Sequence, residues 1–239
     1  MAMPPLPAVA FVRMLARALE PLRDNARAVH MSAYMRGRFP FLGIPTPARR
    51  ASTREIVRSV KAQGEESVVL ALVHALWGKA AREYRYVAVD LLAACETLLT
   101  PAALSPVATC IVSKSWWDTV DGLAGNVVGP LAARHESLRQ TLDAWSVDEN
   151  MWLRRAAILH QLRYRSATDA RRLFAYCIAN AGDPEFFIRK GIGWALREYA
   201  HTNPSAVGSF LDAERTHLSP LTLREAGKHL PRLLKEGNR

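Results

Sequence analysis

The densest group of reactive side chains is Ser115-Trp116-Trp117-Asp118-Thr119-Val120-Asp121-Gly122, with two indoles and two carboxylates in eight consecutive residues. The segment reads as helical, which puts Trp117 and Asp121 four residues apart on one face. Trp116, Val120, Leu123 and Val127 then form a separate apolar stripe, so Trp116 is expected in the core and Trp117 at the surface. The chain carries 32 Lys and Arg against 22 Asp and Glu, a net charge of +10, so Asp121 beside an indole is an acidic spot on a positive protein. Solubility alone does not call for that arrangement. The chemistry open to such a carboxylate is general-base or electrostatic work.

A second loaded helix runs from Phe186 to His201. Ile188, Ile192, Ala195 and Tyr199 define its apolar stripe, whereas Trp194 points away from it and shares a face with Lys190, Arg197 and His201. Trp194 either packs on a neighbouring element or pairs with Trp117 as a surface aromatic. Between the two lies Met151 to Arg163. There Arg155 aligns with Met151, Leu159 and Leu162 and should be partly covered, while Arg154 aligns with Ile158, Gln161 and Arg165. A partly covered guanidinium needs an anion, which Asp121 or a phosphate could provide.

These residues sit on a chain whose apolar positions recur at three- and four-residue intervals throughout, without period-two alternation. The expectation is an all-α fold of about a dozen helices. Breaks are expected at Pro40 to Pro47, Gly64, Gly78, Thr100-Pro101, Gly129-Pro130, Ser146 to Glu149, Gly182-Asp183-Pro184, Asn203-Pro204 and Ser219-Pro220. Ser219 should cap the last helix, with Pro220 in its first turn. Arg154-Arg155-Ala156, Arg189-Lys190-Gly191 and Arg224-Glu225-Ala226 follow one another at intervals of 35 residues. The same interval counted backwards reaches Thr119 and then Tyr84. A two-helix unit of that length predicts an α-solenoid of the HEAT or armadillo sort, with about six repeats forming a concave basic groove, a single domain over 1–239. Cations recurring on its inner helices would make a ladder of phosphate contacts, or else a set of salt bridges between repeats.

Other function classes lose support. Cys95, Cys110 and Cys177 lack C-x-x-C spacing and read as reduced core thiols of a cytoplasmic protein. His135-Glu136 lacks the second histidine of a zinc-protease helix, since Arg139 stands there, and no metal site is expected. Gly78-Lys79 lacks the rest of a phosphate loop, and no G-x-S-x-G elbow is present. His74 and His160 lie in apolar helical stretches and read as core groups. The N-terminus is interrupted by Pro and Arg too early for a secretory signal, and the apolar run Val68 to Trp77 is too short to span a bilayer.

Four stretches together resemble the AlkD-like DNA alkylation-repair family of HEAT-like repeat DNA glycosylases. They are Tyr34-Met35 through Phe39-Pro40-Phe41-Leu42-Gly43-Ile44 with Thr46-Pro47; Ser115 to Asp121; Trp152 to Leu159; and Phe186 to Tyr199. A fifth, Arg224-Glu225-Ala226, is weaker. The resemblance implies that Asp121 is the catalytic carboxylate, that Trp117 and Trp194 are the cleft tryptophans, and that Arg155 is the arginine of the adjacent repeat. It places a DNA-facing tyrosine at Tyr34, and the repeat cations Arg154, Arg189, Lys190, Arg197 and Arg224 join the DNA-binding set. It implies hydrolysis of cationic N3- or N7-alkylated purines from double-stranded DNA, by a monomer without cofactor or membrane, in a groove that does not enclose a flipped base. The competing expectations are a catalytically silent DNA-binding protein and a scaffold for an acidic partner. The sequence departs from the family pattern in its Pro-rich N-terminus and in Gly191, where alanine is expected.

Overall fold

The computed structural model describes residues 7–230, and among them there is helix and no strand. Backbone contacts divide the chain into two compact units, Met1–Pro106 and Val107–Arg239. The first holds α1 (Ala8–Leu19), α2 (Asn25–Tyr34), α3 (Thr46–Gln63), α4 (Glu66–Trp77) and α5 (Arg82–Ala94); the boundary falls in α6 (Leu104–Val112). The second holds α7 (Trp117–Leu123), α8 (Gly129–Arg134), α9 (Arg139–Trp145), α10 (Met151–Leu159), α11 (Ala170–Ala179), α12 (Phe186–Ala200), α13 (Pro204–Ala213) and α14 (Pro220–Gly227).

Local chemistry starts most of these helices as the sequence suggests. Asp24, Asn150, Asp169, Asn203 and Ser219 each accept a backbone N–H from the first turn, and Gly64 ends α3 in the left-handed region. Gly129-Pro130 is not a break. Pro130 offers no N–H to the turn before it, and the chain responds by widening into a π segment, Ala124–Val128, in which the Gly129 N–H bonds back to the Ala124 carbonyl. Helical backbone therefore continues from Trp117 to Arg134. An unforeseen interruption precedes it: Lys114 has φ 51° and Trp116 is extended, so the helix starts at Trp117 rather than at Ser115.

In the first unit, Phe11, Leu15 and Leu19 of α1 and Val69, Leu72 and Leu76 of α4 are buried, and α1 packs on α3 and α4. His74 is exposed, contrary to expectation, because the buried stripe of α4 runs through Val69, Leu72, Val73, Leu76 and Trp77 on its other side. The loop Phe39–Ile44 is fixed by Glu83 of α5, a fully buried carboxylate that accepts the N–H groups of Leu42, Gly43 and Ile44 at 2.8–3.1 Å. Gly43 has φ +86°, and a Cβ there would lie 2.0 Å from the Asp24 carbonyl oxygen, so only glycine lets the loop pass against the start of α2.

In the second unit, hydrogen bonds repeatedly join residues about one repeat apart. Tyr164 donates to the Gly129 carbonyl (35 residues), Asn180 to the Ser146 carbonyl (34), Tyr176 to Asp143 (33) and Thr222 to the Arg189 carbonyl (33). These separations lie close to the 35-residue interval in the sequence. His160 is buried as expected, with Nδ1 against the Ala157 carbonyl, and Cys95, Cys110 and Cys177 are buried free thiols. No helix among the described residues is long and apolar enough to cross a membrane.

Two predictions follow from buried charge chemistry. Glu83→Gln leaves the three loop N–H groups to a single amide oxygen, and stability to urea should fall by about 3 kcal/mol with faster exchange of the Leu42–Ile44 amides. Unchanged exchange would remove the clamp. Burial holds the His160 imidazole down at about 4, so the unfolded chain takes its proton first. Stability should therefore drop as pH falls from about 6.5 towards 4, by on the order of 3 kcal/mol at most, and His160→Gln should flatten that slope in urea titrations.

Candidate active site

The Arg155 guanidinium on α10 is the centre of the site. Its Nε donates to Asp121 Oδ1 at 2.7 Å and its Nη2 to Asp121 Oδ2 at 2.8 Å, a bidentate pair with side-chain exposures of 5% and 13%. Of the two anions the sequence allows, the carboxylate is the partner. The remaining terminal nitrogen, Nη1, donates to the Phe187 carbonyl in the first turn of α12. Arg155 therefore ties α7 to α12 through α10, which packs on both. Gly191 leaves room for this reach, since a Cβ there would lie 3.0 Å from Arg155 Nη1.

Electrostatically the pair balances two opposed effects. Burial pushes the Asp121 carboxyl above its ordinary range, and that is the larger cause; the hydrogen bonds and charge of Arg155 pull it down, and nearby Asp118 adds a small upward push. Removing Arg155 would leave burial unopposed.

Trp117 opens α7 and Asp121 follows one turn later; Trp117 is half-buried, while Val120, Leu123 and Val127 are buried as their helical phase predicts, and Trp116 is buried from the extended backbone before the helix. Trp194 is half-buried on α12, whose core side is Ile188, Gly191, Ile192, Ala195, Leu196 and Ala200. Tyr199, expected in that stripe, lies at its edge. An aromatic wall missed by sequence reasoning stands beside the ion pair: the rings of Trp116 and Phe187 are 4.9 Å apart, Phe187 and Trp152 5.4 Å, and Trp116 and Trp152 5.9 Å. Its legible signal is that Trp152 precedes Arg155 by three residues and so shares its side of α10.

The repeat cations divide into two groups. Arg154 donates to the carbonyls of Asp148 and Glu149 and to Asp183 Oδ2 at 2.6 Å, and Arg189 Nε donates to the Asp183 carbonyl at 2.7 Å. These two guanidiniums latch the loops before α10 and α12, as in the alternative of salt bridges between repeats. Lys190 and Arg197 meet opposite oxygens of Glu225 on α14 at 2.9 and 2.8 Å, partly open to solvent, and these contacts hold the Glu225 carboxyl below its usual range. Arg224 is exposed on α14. Tyr34 belongs to the first unit, where it ends α2 with 72% of its surface exposed. Among the described residues no group of His, Cys, Asp or Glu could hold a metal ion.

No curated protein matches the sequence. Among solved structures, a predicted DNA alkylation repair enzyme from Enterococcus faecalis superposes with a TM-score of 0.80 at 33% identity, covering 87% of this chain and 96% of that one. The family model described as DNA alkylation repair enzyme matches residues 15–230. The chain belongs to the DNA alkylation repair enzyme family.

Proposed function

We propose that the protein is a monofunctional DNA glycosylase that releases cationic N3- or N7-alkylated purines from duplex DNA, acting as a monomeric HEAT-like solenoid domain over 1–239. The observation that carries this reading is the Arg155–Asp121 pair, a nearly buried carboxylate gripped by a bidentate guanidinium, one turn from Trp117. Membership of a DNA alkylation repair family supplies the substrate class.

An alkylated purine of this kind already carries positive charge, so the base can depart without a general acid. As the N-glycosidic bond breaks, both bonding electrons leave with the base and neutralise it, and positive charge develops at C1′ of the sugar. Asp121 stabilises that charge, and water adds to C1′ and gives up a proton. Arg155 already occupies one hydrogen bond at each carboxylate oxygen, which favours an electrostatic role for Asp121 over deep proton abstraction. Trp117 and Trp194 flank the sugar and phosphate, exclude water and present π faces to the developing cation. Tyr34, Lys190, Arg197 and Arg224 meet the DNA, whereas Arg154 and Arg189 shape the loops behind the site. No metal or cofactor takes part.

Base release from duplex DNA carrying 7-methylguanine is the direct assay. Asp121→Asn should lower the rate by 10²-fold or more while keeping DNA affinity. Equal release by the two proteins above the uncatalysed background would refute the carboxylate's role, and release by neither would favour a silent DNA-binding protein. Arg155→Gln removes the influence that lowers the Asp121 pKa, so the acid limb of the rate profile should move to higher pH, with loss of activity near neutrality. An unmoved limb would show that Asp121 ionisation does not limit the reaction.

A further inference from the structure

Phe186 is the first residue of α12 and exposes 52% of its surface. At 3.6 residues per turn, Phe186, Lys190, Trp194 and Arg197 fall within about 80° of arc on one side of the helix. Phe186 is exposed and the other three are half-buried, whereas Ile188, Ile192, Ala195 and Leu196 on the remaining side are buried. The stripe proposed to meet DNA therefore does not begin at Lys190. It begins with a phenylalanine.

That ring is not an isolated surface residue. It packs edge-on against Phe187 at 5.4 Å, and Phe187 leads on to Trp152 and Trp116. Its outer portion extends an aromatic wall whose inner end adjoins Arg155, which donates to the Phe187 carbonyl. Leaving an aromatic ring half in water gives up apolar burial. Here the ring is backed by a rigid stack and bordered on its own helix face by a cation, the combination that binds the π face of a base beside its phosphate. Along α12 Phe186 lies about 12 Å from Trp194, within the span of three to four nucleotides of one strand.

We propose that Phe186, supported by Phe187, is an open stacking platform for a nucleobase that has left the helical stack at a damaged step. This rests on the reading that duplex DNA lies along the Lys190–Trp194 face of α12. The platform reads damage as the ease with which a base unstacks. A paired, stacked base presents no free face to it, and any of the four bases can occupy it, because all have π faces.

The test compares binding to an undamaged duplex with binding to the same duplex carrying a tetrahydrofuran abasic analogue opposite 2-aminopurine, whose fluorescence reports unstacking and quenching by an aromatic ring. Wild type should bind the abasic duplex more tightly and quench the probe. Phe186→Ala should lose about tenfold on the abasic duplex and the quenching with it, and little on the undamaged one. Phe186→Tyr and Phe186→Trp should restore both. Equal affinity of the wild type for the two duplexes, equal losses on both by Phe186→Ala, or full retention by Phe186→Ala would each overturn the platform. Thermal melts check that Phe186→Ala folds, and Phe186→Leu, which keeps apolar bulk without a π face, should behave as Phe186→Ala. None of these readouts requires bond cleavage, so Asp121→Asn should retain them, and failure of the glycosylase reading would be seen separately.

Discussion

Everything in the second unit is arranged around one guanidinium. Arg155 must leave water to reach Asp121, and an ion held that deeply is tolerated only when its charge is paired and each of its nitrogens finds an acceptor. Two donors go to the carboxylate and one to a main-chain carbonyl on the next helix, so the cost of desolvation is met only if α7, α10 and α12 stand in one register. Gly191 is part of the same constraint, because a side chain at that position would press on the guanidinium tip.

Longer-range hydrogen bonds help keep such a register. Four of them span 33 to 35 residues, of which Tyr176 to Asp143 joins α11 to α9 and Thr222 to the Arg189 carbonyl joins α14 to α12, and Arg154 and Arg189 converge on Asp183 to hold the intervening loops. Several cations of a chain with net charge +10 are therefore spent inside the protein. On the proposed reading, attraction of DNA comes from the summed field of the surface charge and from a few exposed or half-exposed groups.

How much of this was legible depended on the range of the interaction. Helical phase marked Trp194 as lying off the core, whereas Trp116 is buried for another reason: it is extended, and its ring packs on Trp152 and Phe187. The need of Arg155 for an anion was also legible. Which anion was not, because composition carries no distance between residues 34 apart. Glu83 gave no signal at all: a glutamate in an apolar helix looks like a surface residue until the loop whose N–H groups it accepts is folded against it. The Gly129-Pro130 break failed for a local reason, since a missing N–H can be absorbed by a π turn when both flanking segments are held by packing.

The state of Asp121 decides what chemistry the site can offer. A carboxylate buried without a partner would take up a proton and present a neutral face, and one in open water would be ionised but screened. The Arg155 pair gives a third condition: burial raises the Asp121 carboxyl, and the bidentate guanidinium opposes that rise, favours the charged form and fixes its orientation in a poorly hydrated place. A fixed dipole of that kind needs no reorganisation when positive charge develops beside it, which is the physical condition for selective stabilisation of a cationic transition state. It does little for a neutral substrate that must first be protonated. On the proposed reading, such a pair suits a reaction whose substrate arrives already charged and needs no acid to release the base.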